Sequence, residues 1–161
     1  MEIIRHDAQT VGLRELDLFS CELLHQIAVA ADPTGNDAAT TRIFTSPTHG
    51  AEPEFDEEWT EYVAPDLRHC FETALETVKS DIEALKESPE DEAYELNIPL
   101  NHLDAWVHGL NQARLVLAAR YDFGEREMER MPMSGDMRAL ALYQIHFYGY
   151  LQERFLHELG A

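Results

Sequence analysis

A guanidinium stays charged at every ordinary pH, and this chain places one in the middle of an apolar helical stripe. In the run from Leu103 to Tyr121, a 3.6-residue period puts Leu103, Val107, Leu110, Arg114, Leu117 and Tyr121 on one face. Burying Arg114 calls for a carboxylate or several carbonyls around it, and Glu153 or Glu22 is the expected partner. Asn111 lies one turn earlier and Arg120 near the end of the same helix. The candidate binding residues are therefore Trp106, Asn111, Arg114, Arg120 and Glu153. The first reading is a buried network that sets helix register. The alternative is a polar pocket around Arg114 and Asn111, serving a ligand-binding protein or a small enzyme.

Metal chemistry has a thinner basis. Glu22-x-x-His25 has the i, i+3 spacing of one half of a di-iron helix motif, and Glu153 and His157 lie one turn apart. A ferritin-like site needs two such pairs and two further inward glutamates. The chain has one pair, so no metal and no cofactor is expected. Thiol catalysis would need Cys21 or Cys70 beside a histidine. His69 adjoins Cys70, but neighbours on a helix point about 100° apart. Both cysteines read as reduced core thiols, as in a cytoplasmic protein. Gly-rich phosphate loops and Gly-x-Ser-x-Gly elbows are absent from the sequence, so no catalytic residue is assigned.

Composition narrows the function classes. With 161 residues the chain reads as one domain, large enough for a core without disulfides or metal. Its 31 acidic and 12 basic side chains give a formal net charge of −19. Such a surface repels phosphate backbones and anionic membranes, so neither nucleic acid nor membrane is an expected partner. The start lacks a basic flank followed by an apolar run, and no window has eighteen apolar residues. The excess charge reads either as a solubility device or as an acidic face for a basic partner protein.

The elements expected to position these residues are mostly helical. Residues 2–5 and 11–16 read as strands of an N-terminal β-hairpin. Asp17 caps a first helix that runs to Asp32-Pro33. Residues 32–55 read as a long loop, pinned by Arg42, Ile43 and Phe44. A short helix over 56–64 breaks at Pro65, and a second long helix follows over about 66–86. The acidic stretch from Ser88 to Asn97 reads as a linker, with Pro99 opening a third, central helix. A charged loop over 125–134 ends at Ser134, the expected cap of a fourth helix. That helix carries a second aromatic row, Tyr143, Phe147 and Tyr150, which is either core or the interface of a homodimer. The expected fold is mainly α: a four-helix bundle-like single domain over 1–161.

Two segments carry a resemblance. Trp106 to Phe123, WVHGLNQARLVLAARYDF, and Tyr148 to Glu153, YGYLQE, resemble a bacterial family catalogued as domain of unknown function 2017. The similarity spans about residues 5–159. Gln112 stands where that family usually has an acid, and Ala118-Ala119 replaces Gly-Thr. The resemblance implies no established activity, cofactor or catalytic residue. It implies a cytoplasmic protein whose gene in many genomes neighbours that of a Clp protease adaptor. The expected role is accordingly a non-enzymatic regulatory or adaptor protein acting through protein contacts, with a link to Clp-type proteolysis.

Overall fold

A computed structural model describes residues 1–89, 92–131 and 135–160. The hairpin forms as expected: β1 (Glu2–Arg5) pairs antiparallel with β2 (Thr10–Leu16), from Glu2 opposite Arg14 to Arg5 opposite Val11. The turn dispenses with Asn-Gly because the Asp7 carboxylate accepts the Gln9 backbone N–H at 2.7 Å. Asp17 caps α1 (Leu18–His25) by accepting the Ser20 N–H at 2.7 Å. The helix does not run unbroken to residue 31. It breaks at Gln26 and resumes as the single turn α2 (Ile27–Ala30).

The expected loop over 32–55 holds a helix. Asn36 accepts the Ala39 N–H at 2.8 Å and starts α3 (Asp37–Phe44), which buries Ala39 and Phe44 while Arg42 stays exposed. Pro53 then opens α4 (Pro53–Glu58) from the first-turn position that proline tolerates. Pro65 does not break the chain here. A wide π turn over Trp59–Val63 joins α4 to α5 (Ala64–Ile82), and Pro65 occupies the first turn of α5, where its missing N–H costs little.

The stretch expected to be a linker contains a strand. β3 (Lys86–Glu87) is a short edge, and β4 (Tyr94–Pro99) pairs antiparallel with both β3 and β2. The hairpin is thus half of a four-stranded sheet ordered β1-β2-β4-β3. Leu96 and Ile98 alternate with Glu95 and Asn97, and both apolar side chains are fully buried beside Val11 and Leu13. Pro99 ends this strand. A single 3₁₀ turn, Leu100–His102, then leads into α6 (Leu103–Arg120).

α6 is central, as its all-round apolar surface requires. It lies against α2, α3 and α5, and against α8 (Met137–Leu159), which follows the single-turn α7 (Glu125–Met128). α7 occupies the first part of the expected charged loop. Ser134 lies outside the described residues, and Asp136 caps α8 by accepting the Ala139 N–H at 2.7 Å. Gly160, at φ 81°, closes α8 in the left-handed region that favours glycine. Among the described residues three helices are long, with 19, 18 and 23 residues, rather than the four of a simple bundle. The molecule is mainly α with a small antiparallel sheet.

Tyr148 ties the core together. Its ring is fully buried, and its hydroxyl donates to the Leu23 carbonyl at 2.8 Å. Burial pushes this phenol well above its ordinary pKa. The folded state therefore keeps the proton where the unfolded chain, with a tyrosine pKa of about 10, releases it. Stability from this source is complete below about pH 10 and falls as pH rises beyond it. Urea melts between pH 9 and 11 should show the loss, and Tyr148→Phe should flatten it. An equally steep loss in Tyr148→Phe would assign the effect elsewhere.

Candidate functional site

Three groups of residues carry the chemistry worth weighing. The first surrounds Arg114. Its side chain is half-buried between α6 and α8, and its Nη1 donates to Gln152 Oε1 at 2.6 Å. The guanidinium lies against Gly149, where a Cβ would sit 3.3 Å from both Cζ and Nε. Among the described residues, Arg114 Nε is buried without a hydrogen-bond partner. Among the described residues the expected carboxylate partner is absent. Glu153 is exposed, and Glu22 accepts from Gln26 at 2.9 Å on its own helix. A cavity of about 600 Å³ opens beside Arg114, lined by Gly149, Gln152, Glu153, Arg154, Leu156 and His157. Asn111 is exposed and takes no part in it. The pocket expected around Arg114 and Asn111 is therefore a cavity around Arg114 and Arg154.

The polar side chain that α6 does bury is Gln112, whose amide donates to the Ala31 carbonyl at 2.8 Å and holds α2 in place. Arg120 performs a similar task at the surface, donating to the Asp32 carbonyl at 2.9 Å. These two bonds fix the start of the connection into α3.

The second group was not visible as a unit in the sequence. Asp81, near the end of α5, is only 9% exposed. It accepts the Trp106 indole N–H at 2.8 Å and faces His102 Nδ1 at 2.9 Å. An imidazole oriented through Nδ1 by a carboxylate is the arrangement of a general base. A nucleophile is what it lacks: among the described residues no hydroxyl or thiol bonds to His102. Trp106, fully buried with its ring edge-on to Phe155, belongs to the core. What the triplet does is clamp the end of α5 to the start of α6. Twenty-five residues separate Asp81 from Trp106, so no local spacing announced the contact.

The third group is on α4 and the π turn after it. None of their residues is buried. Asp56 and Trp59, one turn apart, anchor the segment: Thr48 donates to Asp56 Oδ1 at 2.6 Å, and the Trp59 indole donates to the Phe44 carbonyl at 2.9 Å. The hydroxyls of Ser46 and Thr48 hold the Asp56 carboxyl below its ordinary range. Phe44 in turn packs against Phe71, with ring centroids 6.0 Å apart and the planes tilted, and lies under the Arg68 guanidinium. Anchored this way, the segment presents Phe55, Tyr62 and Val63 to solvent at 41%, 64% and 40% exposure. Glu54, Glu57, Glu58 and Glu61 interleave with them along the chain, all exposed. Between His49 and Arg68 there are seven acids and no base. The sequence showed this as Asp56 to Ala64, read only as a short helix.

The remaining candidates are dispersed. Glu22 and His25 share a helix face, but no group of three His, Cys, Asp or Glu side chains with metal-site geometry occurs among the described residues. Cys21 is buried, which raises its thiol pKa, and Cys70 is exposed; both are free. The aromatic row of α8 divides. Phe147 belongs to the core, Tyr143 packs at a tilt against Phe19 of α1 with ring centroids 5.3 Å apart, and Tyr150 alone is well exposed. Two of the three rings that a homodimer would have used are thus taken up within the chain.

A protein family described as Domain of unknown function (DUF2017) matches residues 5–159. No curated protein and no solved structure matches the chain. No helix among the described residues is long and apolar enough to cross a membrane.

Proposed function

The chain belongs to the DUF2017 family, and on that premise we propose that it is a non-enzymatic regulatory or adaptor protein whose partner docks on α4 and the π turn. The observation that carries this reading is the unburied apolar trio Phe55, Tyr62 and Val63 on an anchored helix. Exposed apolar groups on a fixed, acid-rich segment mark an interaction site. The segment is already ordered by Asp56 and Trp59, so docking does not cost the entropy of folding it. Its charge selects the partner. With seven acids and no base between His49 and Arg68, the complementary surface is basic with aliphatic or aromatic anchors. The setting is the bacterial cytoplasm, and the link to Clp-type proteolysis that the family resemblance implies is part of the proposal.

A complex held this way should weaken as salt rises, because screening removes the attraction between acidic helix and basic partner. A homodimer of this chain would do the reverse, since two strongly acidic surfaces repel until screened. Tyr62→Ala and Phe55→Ala should leave stability within about 0.5 kcal/mol, as surface substitutions do. The same variants should release the partner in a salt-dependent pull-down of the tagged native protein. A complex that tightens with salt, or survives both substitutions unchanged, would sink the reading.

A further inference from the structure

Among the described residues four of the twelve basic side chains reach an acid; of those that do not, two arginines face one cavity with their Nε atoms buried. Arg5, Arg14, Lys86 and Arg138 each reach a glutamate within 4.0 Å. Among the described residues Arg114 and Arg154 reach none. Arg154 makes no hydrogen bond there either, and the Nε atoms of both arginines are buried without a partner. A guanidinium has five N–H donors, and Arg114 uses one, to Gln152.

Two partly desolvated cations beside one cavity are unfavourable twice over. Arg114 has gained one acceptor and Arg154 none for the water they have lost, and like charges that share a cavity disfavour each other. An anion between them reverses both terms, and planar guanidinium forks suit oxygens set in pairs. The receptor is also preformed. Gly149 allows the Arg114 guanidinium to lie flat on α8, and Gln152 holds its Nη1. We propose that the cavity between Arg114 and Arg154 binds a small multivalent oxyanion, of the phosphate or polycarboxylate class. Its roughly 600 Å³ suits a small molecule rather than a protein segment. Glu153, exposed on the same rim, opposes the anion and limits its affinity. The site shares no residue with the α4 docking face, so either reading can fail alone.

Isothermal titration with inorganic phosphate and, separately, citrate tests this at constant ionic strength balanced with sodium chloride. One site per chain is expected. Whichever anion binds more tightly tells phosphate from polycarboxylate. Arg154→Gln should weaken binding roughly tenfold or more, the usual scale of a lost charge-assisted contact. Arg114→Gln should do the same if it folds. Glu153→Gln should tighten binding, a change that damage to the fold would not produce. Absence of binding by both anions would overturn the proposal. So would affinity unchanged in Arg154→Gln, or binding that merely dissociates a dimer seen by light scattering, since a second copy's carboxylate would then be the occupant.

Discussion

Trp106→Ala should be among the most destabilising single substitutions in this chain, at about 3–5 kcal/mol. Two effects add. The first is the cavity left by a fully buried indole packed against Phe155. The second is the loss of the N–H that reaches Asp81 at 2.8 Å, which leaves a buried carboxylate with only His102 beside it. Trp106→Phe separates them. It keeps most of the apolar volume and removes the donor, so about 1–3 kcal/mol should remain. Against a typical total stability of about 5–15 kcal/mol, the alanine variant should be near unfolding at 37 °C. Urea titration followed by far-UV circular dichroism reads both values. A Trp106→Ala midpoint close to that of the wild type would remove the indole from the core and break the clamp between α5 and α6.

The second large effect falls on β4. Leu96 is fully buried and pairs with Leu13 of β2, so Leu96→Ala should cost about 2–5 kcal/mol. Asn97, one residue on, points to the other face and accepts from Arg14 at 2.6 Å. Asn97→Ala should cost no more than about 1.5 kcal/mol, the value of a surface hydrogen bond. The contrast between adjacent positions is the signature of a strand with one buried face. Near-equal small effects would mean that this stretch is a linker.

That strand also shows where sequence reasoning reached its limit. Tyr94 to Ile98 does alternate, but the acidic run before it and Pro99 after it resemble a connection leading to a helix. A strand of six residues is stabilised by its neighbours, and its neighbour β2 lies some eighty residues earlier. The helical stripes were legible because they repeat within one element. α5, α6 and α8 lie close to their expected spans, and α6 is central because a helix apolar on every side needs covering. Pro65 misled for a physical reason: a π turn places proline in a helix's first turn without ending the helical path.

The candidate site was legible in part. Arg114 does meet α8, but at the edge of the buried stripe, where Gln152 and Gly149 receive it instead of a carboxylate. Position 114 fixes which face of α6 the arginine is on. It does not fix which residue of α8 lies opposite, because that depends on the crossing of two helices 38 residues apart in contact. The acidic segment around Phe55 was visible as composition. That it stays unburied could not be read from periodicity, since an apolar stripe looks the same whether or not something covers it.

The docking surface can be tested in the cell that makes the protein. A photo-crosslinking amino acid placed at Tyr62, in otherwise native protein, should capture one partner, and mass spectrometry should locate the crosslink in a Lys/Arg-rich segment. The same group at Glu83, an exposed position at the far end of α5, should capture nothing above background. Adding Glu54→Gln, Glu58→Gln and Glu61→Gln to the Tyr62 probe should abolish the crosslink. A partner captured equally from Glu83, or through a segment without basic residues, or undiminished by the three neutral substitutions, would contradict an acidic docking face on α4.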